Sequence, residues 1–274
     1  CLDVCAYAIM SNHFHLVLFV NEQQVQALTR DEVIARWMKL FLPPAVVSRY
    51  LSGDTLLKDE LMLVDKYVET WRERLMDISW FMRCLNEHMA REANKEDNCK
   101  GRFWEGRFKS QALLDEKALL TCMAYVDLNP IRAGLASSPE TSSFTSIQQR
   151  LATYVNAKKP QKNSNKQPSD LKHFSVKTLK DPARITFKLQ EYFQLVDATG
   201  RIIRNDKRGA IPANLLPILQ RLNIEPDKWL THMQGHNSHK SIAFGPLHKL
   251  RRYASQCGFK WVRGSLYNLG LFGV

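Results

Sequence analysis

No C-x-x-C pair occurs among the six cysteines, which stand at 1, 5, 84, 99, 122 and 257. That absence argues against a structural zinc ribbon, and the scattered spacing fits reduced thiols in a cytoplasmic protein. A long uninterrupted apolar run is missing too. Leu2–Val20 is apolar, but Asp3, Ser11, Asn12, His13 and His15 interrupt it. It lacks a basic leading region and a cleavage signature, so it is neither a signal peptide nor a membrane span. Acidic residues are scarce in the C-terminal half. Residues 151–274 hold 21 Lys and Arg against 7 Asp and Glu, whereas residues 1–150 hold 18 against 20. No long basic amphipathic helix with an aromatic face accompanies this excess. The expected polyanionic partner is therefore nucleic acid rather than a membrane.

What is present begins with His13-Phe14-His15 inside that apolar segment. Val4–Met10 and Phe14–Val20 read as two strands joined by a short polar turn at Ser11-Asn12. On a strand, both imidazoles point to one face and Phe14 to the other. Two neutral imidazoles so placed can grip one metal ion. By itself the pattern more often marks two half-exposed strand histidines.

Helical periodicity follows over Asp31–Phe41, ends at Pro43-Pro44, and resumes over Asp59–Arg74. Leu75, Ile78, Met82, Leu85 and Met89 mark an amphipathic helix from about Asp77 to Asn94. Asn98–Ser110 alternates basic and aromatic residues around Gly101 and Gly106, and reads as a strand with aromatics inward and charges outward. On such an edge Arg102, Arg107 and Lys109 track phosphates, and an exposed Trp104 stacks on a base. Asp115 caps an expected helix from Glu116 to Leu128, which Pro130 stops. Residues 157–170 form a polar, basic linker, taken as the boundary between a domain over 1–156 and a basic, mainly helical region over 171–274, expected to be an accessory DNA-binding part that grips a structured DNA end. There Asp181–Val196, Pro212–Leu222, Glu225–Met233 and Gly245–Gln256 have helical spacing.

Tyr125 and Asn129 are four residues apart, which stacks them on one helical face. A phenol is a poor nucleophile at its usual pKa of about 10, and a metal helps by polarising the electrophile and stabilising the phenolate. Plainer roles stand beside this one. Tyr125 is equally a core tyrosine with its hydroxyl at the surface, Asn129 a cap for a new turn begun by Pro130, and Gly134 the terminator of that turn. Arg132 either holds a strand of nucleic acid or pairs with Asp127 or Glu116.

Three segments stand in order: Met10-Ser-Asn-His13-Phe-His15-Leu, Trp104-Glu-Gly-Arg-Phe108, and Tyr125-Val-Asp-Leu-Asn129-Pro-Ile-Arg-Ala-Gly134. Together they resemble the REP-associated tyrosine transposase group of the HUH-type single-strand DNA transposases. The resemblance covers parts of residues 1 to about 150. It implies an α+β fold: a small antiparallel, ferredoxin-like sheet with packed helices, usually dimeric. It implies that His13 and His15, with Asn129 as third ligand, hold Mg²⁺ or Mn²⁺. Tyr125 would be the nucleophile that becomes linked to a 5′ phosphate of single-stranded or hairpin DNA, in the cytoplasm. Such a family opens with a strand and helix before the His-bearing hairpin, and these do not precede Cys1 here. A preceding segment is accordingly expected to be missing, leaving β-sheet edge uncovered.

Two rivals remain. One is a His-x-His metallohydrolase of the barrel type, which needs further histidines at later strand ends. His173, His232, His236, His239 and His248 follow no such rhythm. The other is a transposase-derived DNA-binding protein without chemistry.

Overall fold

The computed structural model describes residues 1–157, 167–175, 184–203 and 243–262. The fold is α+β and mostly helical, with one two-stranded antiparallel hairpin and ten helices among the described residues. The chain divides into two compact units: Cys1–Leu2 with Val20–Lys109, and Asp3–Phe19 with Ser110–Val274.

The first unit is helical: α1 (Glu22–Gln26), α2 (Arg30–Trp37), α3 (Ala45–Leu51), α4 (Lys58–Arg74) and α5 (Ile78–Glu96). Thr29 starts α2 with a reciprocal capping box, its hydroxyl accepting from the Glu32 N–H and its own N–H donating to the Glu32 carboxylate. Pro44 then caps α3 without a side-chain bond. Val33, Ile34, Val47, Val64, Val68, Trp37 and Trp71 are buried together, with the two indoles stacked at 5.3 Å and 8°. Arg72 is also buried there. It donates to the carbonyls of Val25 and Leu28 at 2.8 and 2.9 Å, at the C-terminal end of α1.

The second unit starts from the hairpin β1 (Leu2–Ile9) and β2 (Phe14–Val20). Met10 N–H donates to the His13 carbonyl at 2.8 Å and closes the turn. The far edge of β1 is not bare. Val4 bridges Leu171 in parallel and Ala8 bridges Thr145 antiparallel, with the Lys172 and Ile9 N–H groups donating to Val4 and Phe144 carbonyls. The expected uncovered edge is thus occupied by segments from far along the chain. β3 (Ala112–Leu113) leads into α6 (Glu116–Asp127), which Asp115 caps by accepting from Ala118 N–H at 2.8 Å. Next come α7 (Asn129–Arg132), α8 (Ser146–Ala157), β4 (His173–Phe174), β5 (Arg184–Ile185), α9 (Leu189–Ile203), β6 (Ala243–Phe244) and α10 (Leu247–Gln256). β3 pairs with β6 and β4 with β5, both parallel.

Cys5, Ala6 and Ala8 of β1 pack with Leu120, Met123 and Ala124 of α6 and Tyr192, Leu195 and Val196 of α9. Inside this apolar cluster sits Asp127, fully buried. It accepts from the Ser146 hydroxyl, the Ile147 N–H (2.9 Å) and the Tyr192 hydroxyl. Burial pushes its carboxyl up to about 6, against the lowering effect of those donors and of Arg150.

Two expectations change. Asn98–Ser110 forms no strand. Its backbone is held by side chains instead, with Asn94 donating to the Gly101 carbonyl at 3.1 Å and the Trp104 indole to the Asn86 carbonyl at 2.9 Å. The helix expected over Asp181–Val196 begins only at Leu189, because Arg184-Ile185 is drawn into pairing with β4. The boundaries of the compact units fall at 2/3, 19/20 and 109/110, whereas the linker expected at 157–170 lies largely outside the described residues. Pro212–Leu222 and Glu225–Met233 lie wholly outside them.

Between pH about 4 and about 6 the folded chain keeps a proton on Asp127 that the unfolded chain has released. Stability contributed by this group therefore falls as pH rises through that window. Asp127→Asn keeps an acceptor and should flatten this slope in urea unfolding measured across the window. Asp127→Ala leaves three donors without their acceptor and should cost on the order of 3 kcal/mol.

Candidate metal and tyrosine site

His13 lies at the end of the hairpin turn and His15 within β2. Their ring centres are 5.0 Å apart with planes at 87°, so the alternation of the strand has set both imidazoles on one face. His13 is exposed and His15 half-buried. His13 Nδ1–H donates to the Asn12 side-chain oxygen at 2.7 Å. That bond leaves Nε2 with the free lone pair, the arrangement in which a neighbouring acceptor orients a metal-binding imidazole. Asn12 was not singled out as a site residue. Its place directly before the His-x-His was the available signal.

Tyr125 comes to this pair from α6. Its ring centre is 6.1 Å from that of His15, edge to face at 79°. On the other side, the Arg132 guanidinium lies over the Tyr125 ring at 5.3 Å from its centre. Arg132 therefore meets the phenol ring, while Asp127 is committed to Ser146, Ile147 and Tyr192. Burial raises the Tyr125 hydroxyl above its usual value, Arg132 acts in the opposite direction, and Cys122 adds to the rise. The resting side chain is thus a neutral phenol at neutral pH. Cys122, one turn earlier on the same helix, is no rival nucleophile, because burial pushes its thiol up to about 12.

Asn129 follows Tyr125 by one turn, as the first residue of α7, and is 8 % exposed. The short helix α7 has no side-chain cap, so capping is not the role of Asn129. Pro130 starts the turn and Gly134, at φ +72°, ends it, with Leu135 N–H donating to the Pro130 carbonyl at 2.8 Å.

The fit of an ion can be judged from the imidazole spacing. A metal–nitrogen bond of about 2.1 Å puts a ring centre roughly 3.2 Å from the ion, so two adjacent ligands have ring centres about 4.5–5.2 Å apart. The observed 5.0 Å lies in that interval. Among the described residues no three His, Cys, Asp or Glu side chains converge on a common point. Two neutral imidazoles with an amide oxygen would be an uncharged donor set, weak for a divalent ion until an anionic oxygen joined it.

Arg102, Trp104, Arg107 and Lys109 belong to the helical unit. The three cations are exposed and Trp104 is half-buried, edge to face with Phe103. His173 in β4 bonds the Pro168 carbonyl at 3.0 Å, His248 is exposed on α10, and the 232–239 histidines lie outside the described residues. Comparison with protein-family models, with curated proteins and with solved structures finds no match to this chain.

Removing the cation over the ring should push the Tyr125 phenol further up. Arg132→Gln is expected to move one tyrosine to higher pH in an ultraviolet difference titration, with Tyr125→Phe identifying which. An unchanged titration would remove Arg132 from the electrostatics of this site.

Proposed function

We propose that the protein cleaves and rejoins single-stranded DNA through a covalent tyrosine intermediate, as a transposase-type strand transferase of the HUH class. The contact between His15 and Tyr125, with His13 beside it and Arg132 behind it, carries this reading. Residues from opposite ends of a long stretch of chain meet there with the chemistry that attack on a phosphate requires.

The Tyr125 oxygen attacks a phosphodiester in line. A bond forms between it and phosphorus, the bond to the 3′ oxygen breaks, and that oxygen leaves as a free hydroxyl after taking a proton. The phenol loses its own proton as attack begins, and the Arg132 guanidinium over the ring favours the developing phenolate. The DNA is left joined to Tyr125 through its 5′ phosphate. Because the phosphodiester is exchanged rather than hydrolysed, a 3′ hydroxyl can reverse the step and join strands. His13, His15 and Asn129 would hold Mg²⁺ or Mn²⁺, which when bound polarises the scissile phosphate and offsets its charge. Asn12 orients His13 for that purpose.

The ferredoxin-like form of the sheet belongs to the same reading. It is supported by the hairpin with both edges of β1 engaged and by α6 packed against it. Arg102, Arg107 and Lys109, exposed on the helical unit, would contact DNA phosphates, which makes affinity strongly salt-dependent. Hairpin-forming repeats are the proposed substrate and a homodimer the proposed assembly. The scattered spacing of the six cysteines supports a cytoplasmic setting. No described helix is long and apolar enough to cross a membrane.

Incubation with single-stranded hairpin oligonucleotides and Mn²⁺ should yield a gel-shifted adduct that resists SDS and is absent from Tyr125→Phe. Wild-type protein that forms no adduct on any hairpin tried would sink the enzyme reading. If Tyr125→Phe keeps full function in a cellular assay, the protein is a binder without chemistry. Asn12→Ala should raise the Mn²⁺ concentration for half-maximal adduct by about 10–100-fold.

A further inference from the structure

The C-terminal half of the second unit carries a surface that the site above does not use. No acidic residue follows Asp227 in the sequence, while Lys228, Lys240, Lys249, Arg251, Arg252, Lys260 and Arg263 do. The described part of this stretch is β6, α10 and the turn after it. Leu250 and Ala254 of α10 are buried with Ala243 and Val262, against Ala112 and Leu114. Those apolar positions leave His248, Arg251, Arg252 and Ser255 exposed on the other side. Their spacing of three, four and seven residues places them on one helical face. Lys249 is the member of the group that is partly committed, 3.9 Å from Asp115.

The helix ends at Gly258 with φ +71°, a left-handed turn in which Phe259 N–H donates to the Ala254 carbonyl at 2.8 Å. Phe259, Lys260 and Trp261 then follow. Trp261 is 66 % exposed and Phe259 48 %. Val262, buried, anchors the segment behind them. Two large rings left in water beside exposed cations lack a folding rationale. The hydrophobic effect favours their burial, and the neighbouring positions Leu250, Ala254 and Val262 are indeed buried.

We propose that the exposed face of α10 with Phe259, Lys260 and Trp261 is a second binding surface for single-stranded DNA. Arg251, Arg252 and Lys260 match a phosphate backbone, and the rings of Phe259 and Trp261 match base faces, which a duplex hides and a single strand presents. The pairing of β6 with β3 sets this surface on the segment that leads directly into α6, the helix of Tyr125. A strand held here is held by the same compact unit that carries Tyr125. The ligand class rests on the strand-transfer reading above, whereas the binding itself needs no catalysis.

The test uses the full chain carrying Tyr125→Phe, so that binding is read without cleavage. Its probes are a labelled oligothymidylate, its RNA counterpart, a blunt duplex and phosphatidylglycerol vesicles. Arg251→Ala with Arg252→Ala should reduce the slope of log affinity against log salt for the oligothymidylate by about 1.4, at 0.7 per lost contact. The Lys pair at the same positions should restore the slope. Trp261→Ala should weaken single-strand binding about tenfold and leave duplex binding unchanged. Affinity and slope that match the parent in both alanine variants, at matched melting temperatures, would overturn the proposal. So would parent protein that prefers the RNA, the duplex or the vesicles. Weakened oligothymidylate binding in the two alanine variants, alongside a wild-type protein that forms no adduct, would leave this surface standing and the strand-transfer reading fallen.

Discussion

The buried carboxyl of Asp127 is the constraint on which the second unit depends. It stands two residues after Tyr125 on α6, about 200° further round the helix. One side of α6 is therefore fixed into the core by donors from α8 and α9, and the opposite side is fixed toward the hairpin. Rotation of α6 to present any other face to His15 would break three hydrogen bonds to a buried carboxyl. A nucleophile must be held to within fractions of an ångström to be useful, and a polar anchor resists sliding in a way that apolar contacts alone do not.

The hairpin is fixed by a second buried charge. Arg150 of α8 is fully buried and donates to the carbonyls of Cys5 and Lys172 at 3.0 Å each. Its guanidinium lies over the Phe174 ring at 4.8 Å. It thereby joins β1 to the segment that covers its far edge. Lys172 extends the same seam, 2.9 Å from Asp3 and with its ammonium over the Phe19 ring. Burial lowers the pKa of Arg150, while Tyr192 and Asp127 act in the opposite direction. Isolated buried charges are costly. Placed near one another around β1 and α6, Asp127 and Arg150 offset part of each other's cost and specify one packing of the hairpin against the helices.

Local signals were legible wherever short-range physics sets the outcome. The hairpin at 2–20, the Asp115 cap, the length of α6 and the stop at Pro130 and Gly134 follow from alternation, side-chain capping and the restricted backbone of proline. The segment 98–110 was not legible. Its alternating basic and aromatic residues mimic a strand, but a strand needs a partner, and here the Asn94 and Arg102 side chains donate to the carbonyls of Gly101 and Trp104. Asp181–Val196 failed for the converse reason. Two residues with helical spacing were captured by β4, a nearby two-residue strand that helical periodicity does not register. Asn12 and Arg132 acquired their neighbours only through the turn and through α7.

By itself, then, the sequence determined the side of the hairpin that His13 and His15 share and the helix that carries Tyr125, because each is fixed by the geometry of a few bonded residues. Only the tertiary structure decided that these faces meet. The meeting depends on Asp127 and Arg150, whose partners lie far away along the chain. It is set by the cost of leaving a charge in the core without neighbours.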